Sequence, residues 1–125
     1  MQCPLCPPAV EAEQVVLENA LCLFLQMPEP VLIGAGIIIP RSHRETVFDL
    51  TPAEWVATYD LLGQVKALLD ASHAPAGYNV GWNSGATGGQ HIFHAHLHVI
   101  PRYVDEPLAG KGIRHWLKQP ENRRD

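Results

Sequence analysis

Three histidines, His94, His96 and His98, stand at alternate positions in the run Phe93-His94-Ala95-His96-Leu97-His98-Val99-Ile100. Successive side chains of an extended strand point to opposite faces. The spacing therefore predicts a strand with the three imidazoles on one face and Phe93, Ala95, Leu97 and Val99 on the other. One such histidine would be an ordinary surface residue; three in register, directly after a glycine-rich segment, point to chemistry. Imidazole can act as a nucleophile, a proton carrier or a metal ligand near neutral pH. A metal-dependent hydrolase with all three on one catalytic ion is one reading. The outer two Cα atoms would then be roughly 13 Å apart by strand rise, too far to share an ion comfortably, which favours a nucleophilic role.

The segment Ser84-Gly85-Ala86-Thr87-Gly88-Gly89-Gln90 leads into this run. Glycines let consecutive backbone N–H groups converge on an anion without side-chain obstruction, so the loop is a candidate phosphate cradle. Near the N-terminus, Cys3-Pro4-Leu5-Cys6 can be a redox pair, a disulfide or half of a metal site, with Cys22 left over. A thioredoxin-like pair opens a helix, whereas Pro7-Pro8 follows Cys6 here. Half a metal site is the better reading if two more ligands exist elsewhere.

The elements that must position these groups can be read from the same sequence. Residues 14–18 and 21–25 form two β-runs joined at Asn19-Ala20, a hairpin, and Gly36-Ile37-Ile38-Ile39 is a buried strand ended by Pro40. Thr51-Pro52-Ala53-Glu54 is a capping box with proline at the first helical position, starting a helix from about Pro52 to Leu69. Trp55, Tyr59, Leu62, Val65 and Leu69 follow at helical spacing as its expected buried stripe. A fourth strand covers residues 77–83. Short sequential strands with one long helix between the third and fourth predict an antiparallel α+β sheet. From Glu106 the chain is richer in charge and is expected to be at best partly ordered.

With 125 residues and ordinary apolar content, the chain is long enough for one domain, with a core up to about residue 103 and a tail beyond. No apolar run is long enough for a membrane span, and Met1-Gln2-Cys3-Pro4 does not begin a signal peptide, so the expected compartment is the cytoplasm. A formal charge of −4 argues against nucleic-acid binding driven by counterion release.

The stretch from Asn83 to Arg102, with Gly88-Gly89-Gln90 and then His94-x-His96-x-His98-Val99-Ile100-Pro101-Arg102, resembles the signature of the histidine triad (HIT) superfamily of nucleotidyl hydrolases and transferases. Ile37-Ile38-Ile39-Pro40-Arg41-Ser42-His43 and Phe48-Asp49-Leu50 resemble its other recurrent block, so the likeness runs to about Tyr103. The resemblance implies an α+β, HIT-like antiparallel half-barrel sheet of about five strands with one long helix, paired as a homodimer. It further implies attack by His96 on the α-phosphorus of a nucleoside phosphate derivative, such as a dinucleoside polyphosphate or a phosphoramidate, through a phosphohistidine intermediate. His98 would bind the phosphoryl oxygens. Asn83, Gly88, Gly89 and Gln90 match positions around the phosphate, and His91 stands where the family often has a hydroxyl residue facing it, as an extra donor or an exposed loop residue. Cys3, Cys6, His43 and His94 match the four ligands of a zinc-bearing branch of the family, a structural site with one zinc per chain. Two departures stand out. Ala35 replaces a histidine that commonly supports the site, and Met27 replaces the residue that binds ribose hydroxyls, which keeps open a catalytically weak nucleotide-binding protein of the same fold.

Overall fold

In the computed structural model, which describes residues 3–124, Asn19 makes the first turn. Its Oδ1 accepts hydrogen bonds from the backbone N–H groups of Leu21 (3.1 Å) and Cys22 (2.8 Å). This folds β1 (Val15–Glu18) antiparallel onto β2 (Cys22–Leu25). Two further strands follow, β3 (Gly36–Pro40) and β4 (Gly77–Trp82), and then β5 (Leu97–Arg102). The sheet is open, with order β1-β2-β3-β5-β4 and every neighbouring pair antiparallel. The expected five-stranded α+β sheet with one long helix is what forms.

Each strand divides its side chains between two faces. Cys22, Phe24, Ile38, Leu97 and Val99 pack against Leu61, Val65 and Leu69 of the helix α1 (Pro52–His73). Leu23, Leu25 and Ile39 point the other way and are covered by Leu5 of the N-terminal segment. His98, between Leu97 and Val99, lies on this second face, opposite Ile37 of β3 and Gly81 of β4. Close packing of β3 on β2 demands Gly36, where an added Cβ would lie 2.5 Å from the Leu25 carbonyl oxygen and 2.6 Å from the Phe24 ring. Gly36→Ala is expected to destabilise the fold by about 2–3 kcal/mol, the upper part of the range for overpacking a core, read as a lower urea midpoint at unchanged slope.

Helix α1 begins as the capping box predicts, with Thr51 Oγ1 accepting from the Glu54 N–H (3.1 Å) and the Glu54 carboxylate accepting from the Thr51 N–H (2.8 Å). It runs one turn past Leu69 and ends where Ala74 adopts a left-handed conformation (φ 48°). The expected buried stripe is corrected. Val65 and Leu69 are buried, but the core face is completed by Glu54, Thr58 and Leu61. Trp55 is 48% exposed and Tyr59 76% exposed, and Leu62 is only partly buried. Apolar residues occupy two adjacent faces of this helix, and the larger ones sit on the flank. Polar groups are tolerated on the core face because they are partnered: Thr58 Oγ1 is 3.5 Å from Cys22 Sγ, and the Glu54 carboxylate accepts from Arg44 Nε (3.0 Å).

Burial works to raise the Glu54 pKa, but the Thr51 backbone N–H and the Arg44 guanidinium outweigh it and hold the carboxyl below its ordinary value. A depressed carboxylate pKa contributes stability that is complete above the unfolded-state value and is lost as pH falls through the folded-state value. Glu54→Gln is therefore expected to cost about 1–3 kcal/mol at pH 7. The difference from the unsubstituted chain should shrink on acidification below about pH 4.5. Urea titrations at pH 7, 5 and 3.5 measure both.

The histidine run departs from the expected strand. Only His98 lies in β5; His94 and His96 precede it, because β4 ends at Trp82, the partner of Leu97. Beyond that pair the Ala95 N–H donates instead to the Arg44 carbonyl (2.7 Å), pulling the backbone out of the ladder. The chain after β5 is better ordered than expected. Arg102 Nε donates to Glu106 (2.6 Å), and its terminal nitrogens donate to the carbonyls of Leu108 and Lys111 (both 2.8 Å) and to Asn79. This clamp carries the chain into a short helix, α2 (Ile113–Leu117). Among the described residues no helix is long and apolar enough to cross a membrane.

Candidate active site and metal centre

The segment that leaves the ladder brings His94 to the N-terminal cysteines. Its Nδ1 lies 3.4 Å from both Cys3 Sγ and Cys6 Sγ, and Cys6 Sγ lies 3.3 Å from His43 Nδ1. The four ligand atoms are all within 4.8 Å of one another. Tetrahedral zinc, with bonds near 2.3 Å to sulfur and 2.0 Å to nitrogen, places such sulfur–nitrogen pairs about 3.5 Å apart, so the donor set fits the ion in spacing as well as type. Orientation agrees: His94 Nε2 donates to the Pro40 carbonyl (2.8 Å), which leaves the Nδ1 lone pair facing the thiols. Burial, only partly opposed by that carbonyl, pushes the His94 imidazole below its ordinary pKa, which favours the neutral form a metal ligand needs.

The same turn orients His96. Its Nδ1 lies 2.8 Å from the His94 carbonyl and donates to it, so Nε2 carries the free lone pair. His96 is 9% exposed, and its ring meets that of His98 edge-on with centroids 4.9 Å apart. Burial, followed by the neighbouring His96, pushes the His98 pKa down. The two imidazoles thus meet edge-on, while the Nδ1 of His94 faces the two cysteines. A bend in the backbone before Leu97 separates His94 from His96 and His98.

The loop before the histidines is built differently from the expected cradle. The N–H groups of Gly88 and Gln90 donate to the Gly85 carbonyl (3.1 and 3.0 Å), and that of Gly89 to the Ala86 carbonyl (3.0 Å). Gln90 is 1% exposed, and its side chain accepts from the Gly85 N–H (2.9 Å) and donates to the carbonyls of Glu45 (2.7 Å) and Ile92 (3.0 Å). These groups turn inward because a tight glycine turn must satisfy its own amides. In the chain alone these groups are satisfied within the loop and by Glu45. Gly88 is required for that turn, since a Cβ there would lie 2.5 Å from the Ser84 carbonyl oxygen. Asn83 is exposed just beyond β4, close beside Gly89, and His91 is exposed on the loop.

A HIT domain model matches residues 9–105. The chain belongs to the HIT domain family. The adenosine 5′-monophosphoramidase hnt1 of Schizosaccharomyces pombe is 31% identical over 104 residues, which are 83% of this chain and 75% of that protein. The asymmetrical bis(5′-nucleosyl)-tetraphosphatase of the same organism is 30% identical over 89 residues, 71% of this chain and 49% of that protein. Among solved structures, a HIT family protein from Bacillus anthracis aligns with a TM-score of 0.73 at 29% identity, covering 82% of this chain and 72% of that one. This HIT chain spans between 49% and 64% of the length of the first curated relatives it matches.

Two positioning groups escaped the sequence reading. Arg44 joins three parts of this HIT domain, pairing with Glu54 of α1 through its side chain and with Ala95 through its carbonyl. Arg102 was matched to the family signature but not to the segment it clamps; its i,i+4 spacing from Glu106 was the available signal.

Proposed function

We propose that this HIT protein hydrolyses phosphoanhydride or phosphoramidate bonds of nucleoside phosphate derivatives through a covalent intermediate on His96. The observation that carries this reading is the bond from His96 Nδ1 to the His94 carbonyl, which leaves the Nε2 lone pair available as the nucleophile. Nε2 bonds to the α-phosphorus as the bond from phosphorus to the leaving oxygen or nitrogen breaks. The phosphorylated ring gains positive charge, which the His94 carbonyl stabilises through Nδ1–H. Water then attacks the phosphorus, the P–N bond breaks, and the nucleoside monophosphate leaves with neutral His96 restored. His98 donates to the phosphoryl oxygens, with Asn83 and His91 at the rim, while Gly88, Gly89 and Gln90 hold the loop in shape. Incubating purified protein with adenosine 5′-phosphoramidate and with diadenosine tetraphosphate should release AMP from at least one. Cleavage of neither at enzyme-equivalent concentration would exclude the reading.

Cys3, Cys6, His43 and His94 would hold one structural zinc per chain, which supplies no chemical step but ties the N-terminal segment and the His43 turn to the segment bearing His96. Reduced thiolates suit a cytoplasmic protein. The protein is further read as a homodimer through the outer flank of α1 and β4. Support comes from the exposed Val56 and Tyr59 and from an open hollow of about 540 Å³ lined by Tyr59, Leu62, Lys66, Tyr78 and Val80. A second copy presents a matching apolar flank. Sedimentation equilibrium should report twice the chain mass at micromolar concentration, and a monomer there contradicts the pairing.

Met27 and Ala35 line a separate hollow with Gln26 and Glu29. An apolar residue cannot supply the hydrogen bond that rejects substrates lacking a ribose hydroxyl. Ribo- and 2′-deoxy-substrates are therefore expected to differ by less than about tenfold in kcat/KM. A much larger preference would assign hydroxyl binding to another residue.

A further inference from the structure

The sheet face that carries His98 is divided between the two ends of the chain. Over β2 and β3 it is covered by the N-terminal segment, with Leu5 buried against Leu23, Leu25 and Ile39. Over β4 it is bordered by the C-terminal segment. An added Cβ at Gly81 would lie 3.5 Å from Ile113 Cδ1, and Gly81 is the cross-strand partner of His98. Two residues along β4, the Asn79 amide lies 3.8 Å from where a Cβ of Gly112 would sit. The Arg102 clamp fixes this crossing, because its guanidinium holds the Leu108 and Lys111 carbonyls and Asn79 together.

Ile113 also borders a second hollow, of about 350 Å³, whose other walls include Arg114, His115 and Lys118. Neither Arg114 nor Lys118 takes part in an ion pair among the described residues. A phosphate chain that leaves a phosphorus at His96 and His98 over β4, away from the half of the sheet that Leu5 closes, passes Gly81, the cross-strand partner of His98. It then meets Ile113 and this basic hollow. Glycine at 81 leaves room for both the chain and the Ile113 side chain.

We propose that Arg114 and Lys118 form a subsite for the phosphates beyond the scissile one, so that the C-terminal segment selects polyphosphate substrates over single-phosphate ones. The proposal rests on the reading of His96 and His98 as the reacting site. Exposed charges contribute modestly and are screened by salt, so loss of both should weaken polyphosphate binding about tenfold at low ionic strength and less at high.

The test pairs two measurements on the full chain, unsubstituted and with Arg114→Gln and Lys118→Gln combined. The first is calorimetric binding of inorganic tripolyphosphate and of inorganic phosphate. The second is kcat/KM for diadenosine tetraphosphate and for adenosine 5′-phosphoramidate. The expected result is a loss of about tenfold for tripolyphosphate and for diadenosine tetraphosphate, with phosphate and the phosphoramidate unchanged. Equal losses on both substrates, no loss on either, or an unsubstituted chain that binds tripolyphosphate no better than phosphate would each overturn it. If neither substrate is cleaved but the selective loss of tripolyphosphate binding is seen, the subsite stands and the catalytic reading falls. A further variant, Arg102→Gln, releases the clamp without touching the hollow and should reproduce the loss for polyphosphate if the segment must be held over β4.

Discussion

Substituting His96 with alanine is expected to remove hydrolysis by at least about ten-thousandfold, the scale on which loss of a covalent nucleophile is felt. The fold should survive, because among the described residues the side chain makes one hydrogen bond, to the His94 carbonyl, and, though buried, lies outside the core between sheet and helix. Metal content should also survive, since the Cys3, Cys6, His43 and His94 side chains are untouched. His98→Ala should slow turnover by only about a hundred- to a thousandfold, as expected for loss of one donor to a developing charge. Rapid quenching with a slowly cleaved substrate, followed by peptide mass mapping, should place the nucleotidyl group on His96. A label on another residue, or an alanine variant that retains hydrolysis near the original rate, would reject the covalent assignment.

The second large effect concerns the cysteine cluster. Cys6 Sγ stands within 3.4 Å of both histidine ligands, so Cys6→Ser removes a donor that touches two of the other three. Elemental analysis is expected to find one zinc per chain in the original protein and well under half of that in the variant. Melting temperature should fall by on the order of 10 °C, because metal binding free energy is in part folding free energy. Leu5 would lose its anchor against Leu23, Leu25 and Ile39, exposing that face of the sheet. Turnover should fall less than stability when assayed well below the melting point. Unchanged metal content and melting temperature would reject the site.

Much of this geometry was legible before any coordinates. Strand alternation located the hairpin and the sheet, and the capping box placed the start of α1 at Pro52. The resemblance to a zinc-bearing branch of the family, rather than composition or spacing, implied the set Cys3, Cys6, His43 and His94, whose members come together from up to 91 residues apart in sequence. What could not be read was set by tertiary competition. Ala95 pairs with Arg44 rather than continuing the ladder, so periodicity alone put His94 and His96 in a strand that begins only at Leu97. The helix stripe was misplaced because Glu54 and Thr58 read as solvent-facing until their partners Arg44 and Cys22 are known. Loop composition announced flexible glycines but could not say that Gln90 would turn inward and fill the turn with its own amide.

That buried Gln90 amide has a consequence for how a ligand is met. Its three bonds tie Gly85 and Ile92, at the two ends of the loop, to each other and to Glu45 without any ligand present. The conformational entropy of ordering this stretch is thus spent during folding, when the rest of the domain is ordered too. A ligand bound beside such a pre-bonded loop is expected to spend little of its binding energy on settling it. Amide hydrogens at Gly88, Gly89 and Gln90 should accordingly exchange slowly in the empty protein and gain little further protection when nucleotide is added.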